Sequence, residues 1–291
     1  DPINGAGAAY VFVRSGSSWT QQAKLMASDA EANDYFGIDV SISEDGTYAV
    51  VGAQYGGTGS GNDNHGAAYI FVRSGTSWSQ QQKLTASDAY EGAQFGYNVD
   101  INADGSYVAI GAPYDTLNNL GAVYVFTRSG STWSQQQKLT ASNAGSQDKL
   151  GFSSRISDDG DYIIATAPYE DTTASDVGMA YIFTRSGSTW SQQDSFQHSD
   201  AQLEDRLGFG ADISGDGNYA IFGSTWEDGG SGDPIDRAGA AYVFLRSGTS
   251  WAQQAKLTAS DAGSTDSFGW QVSISTDGTY ALVGTVYDYP A

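Results

Sequence analysis

Ala122-Val123-Tyr124-Val125-Phe126-Thr127-Arg128-Ser129-Gly130-Ser131-Thr132-Trp133-Ser134-Gln135-Gln136-Gln137-Lys138-Leu139 settles the fold class. Its first six residues form a nearly continuous apolar, β-prone run. Ser129-Gly130 breaks the run, and a more polar β-prone segment follows from Trp133 to Leu139. An apolar run of this length fits a strand buried on both faces. The Gln- and Lys-rich partner fits an outer strand whose polar side chains discourage edge-to-edge pairing.

Working outward, the stretch recurs. The same Tyr opens the run at Tyr10, Tyr69, Tyr124, Tyr181 and Tyr242, with a period of about 58 residues. Each run leads into Arg-Ser-Gly and then Trp: Arg14/Trp19, Arg73/Trp78, Arg128/Trp133, Arg185/Trp190 and Arg246/Trp251. Upstream of the quoted copy, Phe95-Gly96-Tyr97-Asn98-Val99-Asp100-Ile101 alternates and stops at Asp104-Gly105. Tyr107-Val108-Ala109-Ile110 follows and ends at Gly111-Ala112-Pro113. Four strands with short antiparallel connections are the content of one propeller blade. A unit that cannot bury its own faces must stack on copies of itself. Residues 1–25 supply the third and fourth strands of a unit, and Phe268 to Tyr287 supply the first and second. The expected architecture over residues 1–291 is therefore all-β: one domain, a five-bladed propeller of four-stranded antiparallel blades, with one blade closed by the N- and C-terminal strands.

Composition excludes several function classes. Asp and Glu number 34 against 13 Lys and Arg, a formal charge of −21. Such a surface repels phosphate backbones and anionic headgroups, so nucleic acid is not an expected partner. No apolar stretch approaches about 20 residues, so membrane insertion is not expected either. With 13% aromatic and 40% hydrophobic residues the chain has material for a core. Cys is absent, which removes disulfides and thiolate chemistry. The two histidines, His65 and His198, lie in different repeats, which argues against a His-rich metal site or a Ser-His-Asp triad. The chain enters its first repeat midway at Asp1, as expected after removal of a leader or for part of a longer protein.

Binding on a rigid ring usually resides in its variable loops. Four loops between second and third strands open with an aromatic and an acid: Tyr114-Asp115, Tyr169-Glu170-Asp171, Trp226-Glu227-Asp228 and Tyr287-Asp288. The fifth opens with Tyr55-Gly56. Aromatic faces stack on sugar rings, and carboxylates accept hydroxyl hydrogen bonds. The same side chains are also suited to packing between blades with solvated acids. Trp226 and Trp270 are the two tryptophans outside the fivefold pattern. The repeated Arg and Trp read as a cation–π or Arg–Asp contact pinning a hairpin. Asp29, Asp88, Asp200 and Asp261, with Asn143 in the remaining copy, stand as partners for the Arg or as loop caps.

These motifs resemble the FG-GAP repeat family, the units of integrin alpha-chain propellers, in a variant with a Trp-Gln-Gln-Lys-Leu strand. The Phe-Gly element stands at Phe36-Gly37, Phe95-Gly96 and Phe268-Gly269, and drifts to Leu150-Gly151 and Leu207-Gly208. Gly-Ala-Pro is intact only at Gly111-Ala112-Pro113. The resemblance implies a calcium loop in some copies, alternate oxygens around a Gly turn. The best matches are Asp100-x-Asn102-x-Asp104-Gly105 and Asp212-x-Ser214-x-Asp216-Gly217. The other loops begin with Ser41, Arg155 and Ser273. A plain Asp-Gly hairpin turn explains all five copies as well. Calcium is the only cofactor in view.

Propeller glycosidases need two or three carboxylates in distinct environments. Here the acids recur in register, so an enzyme is not expected, although Glu170, Asp171, Glu227 and Asp228 would supply such a pair. The resulting expectation is a non-catalytic extracellular or cell-surface propeller. It would serve adhesion, matrix or filament assembly through a protein or glycan partner or through self-assembly. A glycan-binding lectin, calcium-assisted or not, is second and a propeller glycosidase third.

Overall fold

Alternation over four to eight residues, punctuated by Asp-Gly and Ser-Gly pairs, leaves the chain little choice but short antiparallel strands. The structure, a computed structural model, describes residues 4–57, 64–228 and 235–287. Among the described residues it holds strands and no helix, hence no helix long and apolar enough to cross a membrane. Four complete sheets follow one another. The first holds β3 (Phe36–Ile42), β4 (Tyr48–Ala53), β5 (Ala67–Ser74) and β6 (Ser77–Leu84). The second holds β7 (Asn98–Ile101), β8 (Tyr107–Ala112), β9 (Ala122–Ser129) and β10 (Thr132–Leu139). The third holds β11 (Ser154–Ile156), β12 (Tyr162–Ala167), β13 (Met179–Ser186) and β14 (Thr189–Phe196). The fourth holds β15 (Leu207–Ile213), β16 (Tyr219–Ser224), β17 (Ala240–Ser247) and β18 (Ser250–Leu257). Two hairpins flank them, β1 (Ala9–Ser15) with β2 (Ser18–Leu25), and β19 (Gln271–Ile274) with β20 (Ala281–Gly284).

The core lies between sheets, as the apolar third strand requires. Val50, Ala68 and Ile70 of the first sheet pack against Val99, Val108, Ile110, Tyr124 and Phe126 of the second. The junctions repeat three further devices. Every pair of third and fourth strands carries a bulge at the same place, and the extra residue is a Gln. That Gln reaches the next sheet: Trp78 donates its indole N–H to Gln22 at 2.8 Å, Trp133 to Gln81 at 3.0 Å and Trp190 to Gln136 at 2.9 Å. The repeated Arg lies over a Tyr of the preceding sheet, Arg128 over Tyr48, Arg185 over Tyr107 and Arg246 over Tyr162. Its Nε donates to the carbonyl of the Asp-Gly turn, as Arg128 does to Gly105 at 2.7 Å. The Arg therefore pins a turn, but its ring partner is a Tyr rather than the expected Trp. The repeated Asp pairs with Lys instead: Asp29 with Lys83, Asp88 with Lys138 and Asp200 with Lys256.

The motif glycines answer a close approach. A Cβ on Gly111 would meet the Gly151 carbonyl oxygen at 2.2 Å, and one on Gly96, at φ 86°, would meet that of Ala67 at 2.2 Å. Where the third repeat replaces this Gly by Thr166, the hydroxyl donates to the Gly208 carbonyl at 2.7 Å.

The structure departs from the expected closure. β1–β2 and β19–β20 are separate two-stranded sheets, and the strands around Tyr10 and Leu282 do not pair. Among the described residues each hairpin is bridged to a complete sheet, at Gly7–Phe36 and Gly239–Phe268.

Candidate functional site

The first strands of the four sheets and of the C-terminal hairpin line a common channel, and its mouth is built by one position. The Gly of each Phe-Gly or Leu-Gly element has positive φ. The residue after it is Ile38, Tyr97, Phe152, Phe209 or Trp270, and all five line one cleft of about 640 Å³, counting its open mouth. The rings touch in sequence. Tyr97 lies 5.1 Å from Phe152, Phe152 5.0 Å from Phe209, and Phe209 5.2 Å from Trp270. Asp39, Asn98, Ser153, Arg155 and Gln271 complete the lining.

Polar groups satisfy the inner strand edges and set the charge of the floor. Asp39 Oδ2 accepts from Asn98 Nδ2 at 2.6 Å and Val99 N at 2.9 Å, while its Oδ1 accepts from Val40 N at 3.0 Å. Burial raises the Asp39 pKa, opposed in part by Arg155, whose Nη1 is 3.8 Å away. Deeper in the channel, Asp100 accepts from Ser41 Oγ at 2.7 Å and Ile156 N at 2.9 Å. Burial pushes its pKa up to about 6 against the pull of Arg155. Asp212 accepts from Ile274 N at 2.8 Å and Ser273 Oγ at 2.9 Å. Burial works against the Arg155 charge, but Asp100, Asp39 and Asp212 outweigh it and hold the guanidinium protonated. A concave aromatic wall over a carboxylate and a guanidinium is suited to a polyhydroxylated ring that carries a polarisable carbonyl.

The loop residues read from the sequence divide. The aromatics form an outer rim. Tyr55 packs edge-on to Tyr35 at 5.3 Å, and Tyr169 lies 6.2 Å from Phe152 and 6.1 Å from Phe209. Lys149 sits over Tyr114 and Tyr169, and Arg206 over Tyr169 and Trp226. Burial, with the neighbouring phenols of Tyr114, Tyr169 and Tyr55, pushes the Tyr97 pKa up to about 12. The acids do not join this face. Asp115, 2% exposed, pairs with Lys138 at 2.6 Å. Glu170 is buried among Asn143, Thr172 and Gln197. Glu227 is buried against Lys256 at 2.9 Å. Glu170 and Glu227 are thus tied into separate blades and do not supply a shared glycosidase pair. Tyr287 is half exposed, and Asp288 lies outside the described residues. The inner tier of Tyr97, Phe152 and Phe209, with Asp39 and Arg155 beneath, was missed by reading loops. Its signal is the residue after each Phe-Gly or Leu-Gly.

The candidate calcium loops spend their turn oxygens on their own turns. Asn102 and Asp104 bond each other and Ser106 within their own turn. Ser214 and Asp216 do the same with Asn218 and Tyr219. Asp100 and Asp212, the first residues of the two motifs, turn their carboxylates to the neighbouring strand. These residues do not fit the cation, and among the described residues no three or more His, Cys, Asp or Glu side chains form a metal-binding group.

A solved structure with this fold is the periplasmic gluconolactonase PpgL of Pseudomonas aeruginosa. It matches with a TM-score of 0.60 at 15% identity, over 97% of this chain and 74% of that one. At that identity the likeness is one of fold. It corrects the expectation of a non-enzymatic adhesion or assembly propeller, because a fold of this kind serves a gluconolactonase there. No curated protein matches the sequence. The FG-GAP repeat model matches residues 19–71, 78–126, 133–183 and 251–291. The unmatched span includes Leu207-Gly208 and Gly223-Ser224-Thr225, where both motif elements have drifted. With most of its length matched, and with paired motif glycines at the junctions, this chain belongs to the FG-GAP repeat family.

Proposed function

We propose that the chain binds and hydrolyses a lactone of a sugar acid at the channel mouth. The observation that carries the reading is the convergence of Tyr97, Phe152, Phe209 and Trp270 over Asp39 and Arg155. The fold likeness to a gluconolactonase supports the choice of reaction. The sugar ring stacks on the aromatic wall. Asp39 Oδ1, which accepts only from the adjacent Val40 N among the described residues, takes a proton from water as its oxygen attacks the lactone carbonyl. Arg155 faces the oxyanion that forms. The ring C–O bond then breaks, and the proton passes from Asp39 to the departing alkoxide, leaving a hydroxy acid. Residues 1–291 act as one domain. The two terminal hairpins are complementary halves of a fifth blade, since each ends in an unpaired apolar edge. A periplasmic or secreted location accompanies the reading.

The test is hydrolysis of D-glucono-1,5-lactone, followed by proton release against the spontaneous rate. Asp39→Asn should lower kcat by about 10²–10⁴-fold, the usual contribution of a positioned base. A wild-type rate equal to buffer, or an Asp39→Asn rate equal to wild type, would overturn the reading.

A further inference from the structure

The rim of the mouth is not electrically uniform. In a chain of net charge −21, Lys149, Arg206 and Arg237 gather over Tyr169 and Trp226. Two of these cations occupy a repeated position, the residue before each Phe-Gly or Leu-Gly. Tyr35, Gln94, Lys149, Arg206 and Ser267 stand there with φ of 54, 55, 59, 57 and 59°. Gln94 donates to the Tyr55 hydroxyl at 3.4 Å, while Lys149 and Arg206 reach the corresponding Tyr114 and Tyr169 over their ring faces. The Gln makes its contact without charge, so pinning the loop does not account for cations at 149 and 206.

Those cations are under-compensated. Lys149 Nζ lies 3.8 Å from the Tyr169 ring centroid, with no carboxylate within 4.0 Å among the described residues. Arg206 Nη2 reaches Asp176 at 3.0 Å, while its buried Nε has no hydrogen-bond partner. One carboxylate thus serves two cations at the lip of the cleft. Burial lowers the Lys149 pKa, and the repulsion of Arg206 adds to it against Asp176. A bound anion relieves both effects. Tyr169, held between the two cations, is also within ring contact of Phe152 and Phe209 in the cleft.

We infer that the mouth selects a ligand carrying a second carboxylate, which docks on Lys149 Nζ beside the Arg206 guanidinium while its lactone end lies in the cleft. This rests on the reading of the mouth as a lactone-hydrolysing site, and it names the substrate class as lactones of sugar diacids.

The matched probes are D-glucaro-1,4-lactone and D-glucono-1,4-lactone, which differ by a carboxylate in place of a hydroxymethyl group. At low ionic strength wild type should favour the glucaro-lactone in kcat/KM by at least about tenfold, mostly through KM, as a charge-assisted contact implies. The preference should shrink with salt. In Lys149→Gln it should collapse toward one, and in Lys149→Arg it should survive, with melting curves confirming the fold of both variants. No preference in wild type, or an undiminished preference in Lys149→Gln, overturns the inference. If neither lactone is turned over, the hydrolytic reading fails, and binding followed by tryptophan fluorescence decides the inference. Glucaro-lactone binding tighter than glucono-lactone, with the difference lost in Lys149→Gln, supports the cation locus. Equal binding, or none, overturns it.

Discussion

Trp133 and Trp19 occupy the same place in the same repeat, yet Trp133 is 2% exposed and Trp19 is 65% exposed. Tyr124 and Tyr10 differ likewise, as do Val50 and Leu282, the latter 76% exposed. The local sequences are nearly interchangeable. What differs is the neighbour. Trp133 lies edge-on to Tyr48 at 6.3 Å and donates to Gln81 of the preceding sheet. By the same offsets Trp19 calls for Tyr219 and Gln254, and Leu282 calls for the face that Val40 and Ala49 present beside Val11. A repeat unit encodes its partner as much as itself, and burial is decided at the junction.

The largest expected effect tests whether that difference is permanent. Trp133→Ala should cost about 3–5 kcal/mol, the usual loss on emptying a large core site. If the terminal hairpins join as halves of a fifth blade, Trp19→Ala should cost a similar amount in urea unfolding. A Trp19→Ala loss within about 0.5 kcal/mol, typical of surface positions, would break the proposed blade and leave the seam open.

A second, smaller effect separates a complete sheet from the terminal hairpins. Where other repeats carry Ala27, Ala86, Ala141 or Ala259, the fourth carries His198, stacked on Tyr242 at 4.3 Å. His198 Nδ1 meets Asp200 at 3.0 Å and Nε2 meets the wholly buried Asp205 at 3.3 Å. Burial pushes the Asp205 pKa up to about 7, with Glu227, Asp228 and Asp200 adding repulsion against the Gln202 N–H, and burial lowers that of His198. Lys256 bridges Asp200 and Glu227 nearby. The folded state therefore holds the Asp205 proton between the ordinary carboxylate pKa and about 7, where the unfolded chain releases it. Stability should fall as pH rises through that window and level off above it. Neutral His198 opposes this slope only below its ordinary range. Asp205→Asn keeps a donor for Nε2 and should weaken the slope, leaving the part below about pH 6 that Asp100 also contributes, and should be the more stable protein at pH 8. Parallel profiles for Asp205→Asn and wild type would remove Asp205 as the cause.

Much of this was legible in the sequence because each repeat constrains itself. The strands, the Asp-Gly turns and the doubly buried third strand follow from alternation and apolar runs that any one copy displays. The loop aromatics were legible for the same reason. Their acids were misplaced because a carboxylate beside a Tyr does not reveal the Lys138 or Lys256 that will neutralise it from the adjacent strand. The inner tier was hidden because Tyr97, Phe152, Phe209 and Trp270 differ in type, so their shared position was masked by their variety. Asp39 and Arg155 lie on first strands whose channel-facing register only the assembled sheets disclose. The function moved further, since repetition identifies a scaffold and the fold likeness shows that such a scaffold also serves an enzyme.

The smallest expected effect concerns the place where complete sheets and terminal hairpins do not differ. All five Asp-Gly turns are built alike. The aspartate accepts from the side chain two residues before it, as Asp45 does from Ser43 at 2.9 Å, Asp104 from Asn102 at 3.0 Å and Asp277 from Ser275 at 2.7 Å. It also accepts from the backbone two residues after, as in Thr47, Ser106 and Thr279. Calcium wants about six to eight oxygens around one point. Here the turn aspartates are engaged, while Asp100 and Asp212 face Ile156 N and Ile274 N. An ion at 100 times its Kd would add about 2.7 kcal/mol of stability. We expect no such gain: melting curves in millimolar calcium and in chelator should superimpose. Asp104→Ala and Asp277→Ala should each lower the midpoint, in calcium and in chelator alike, because each removes a turn and not a ligand. A calcium-dependent rise in the midpoint that disappears in Asp100→Asn would show instead that this carboxylate swings out of the channel to hold the ion. The turn between β7 and β8 would then differ from its four counterparts after all.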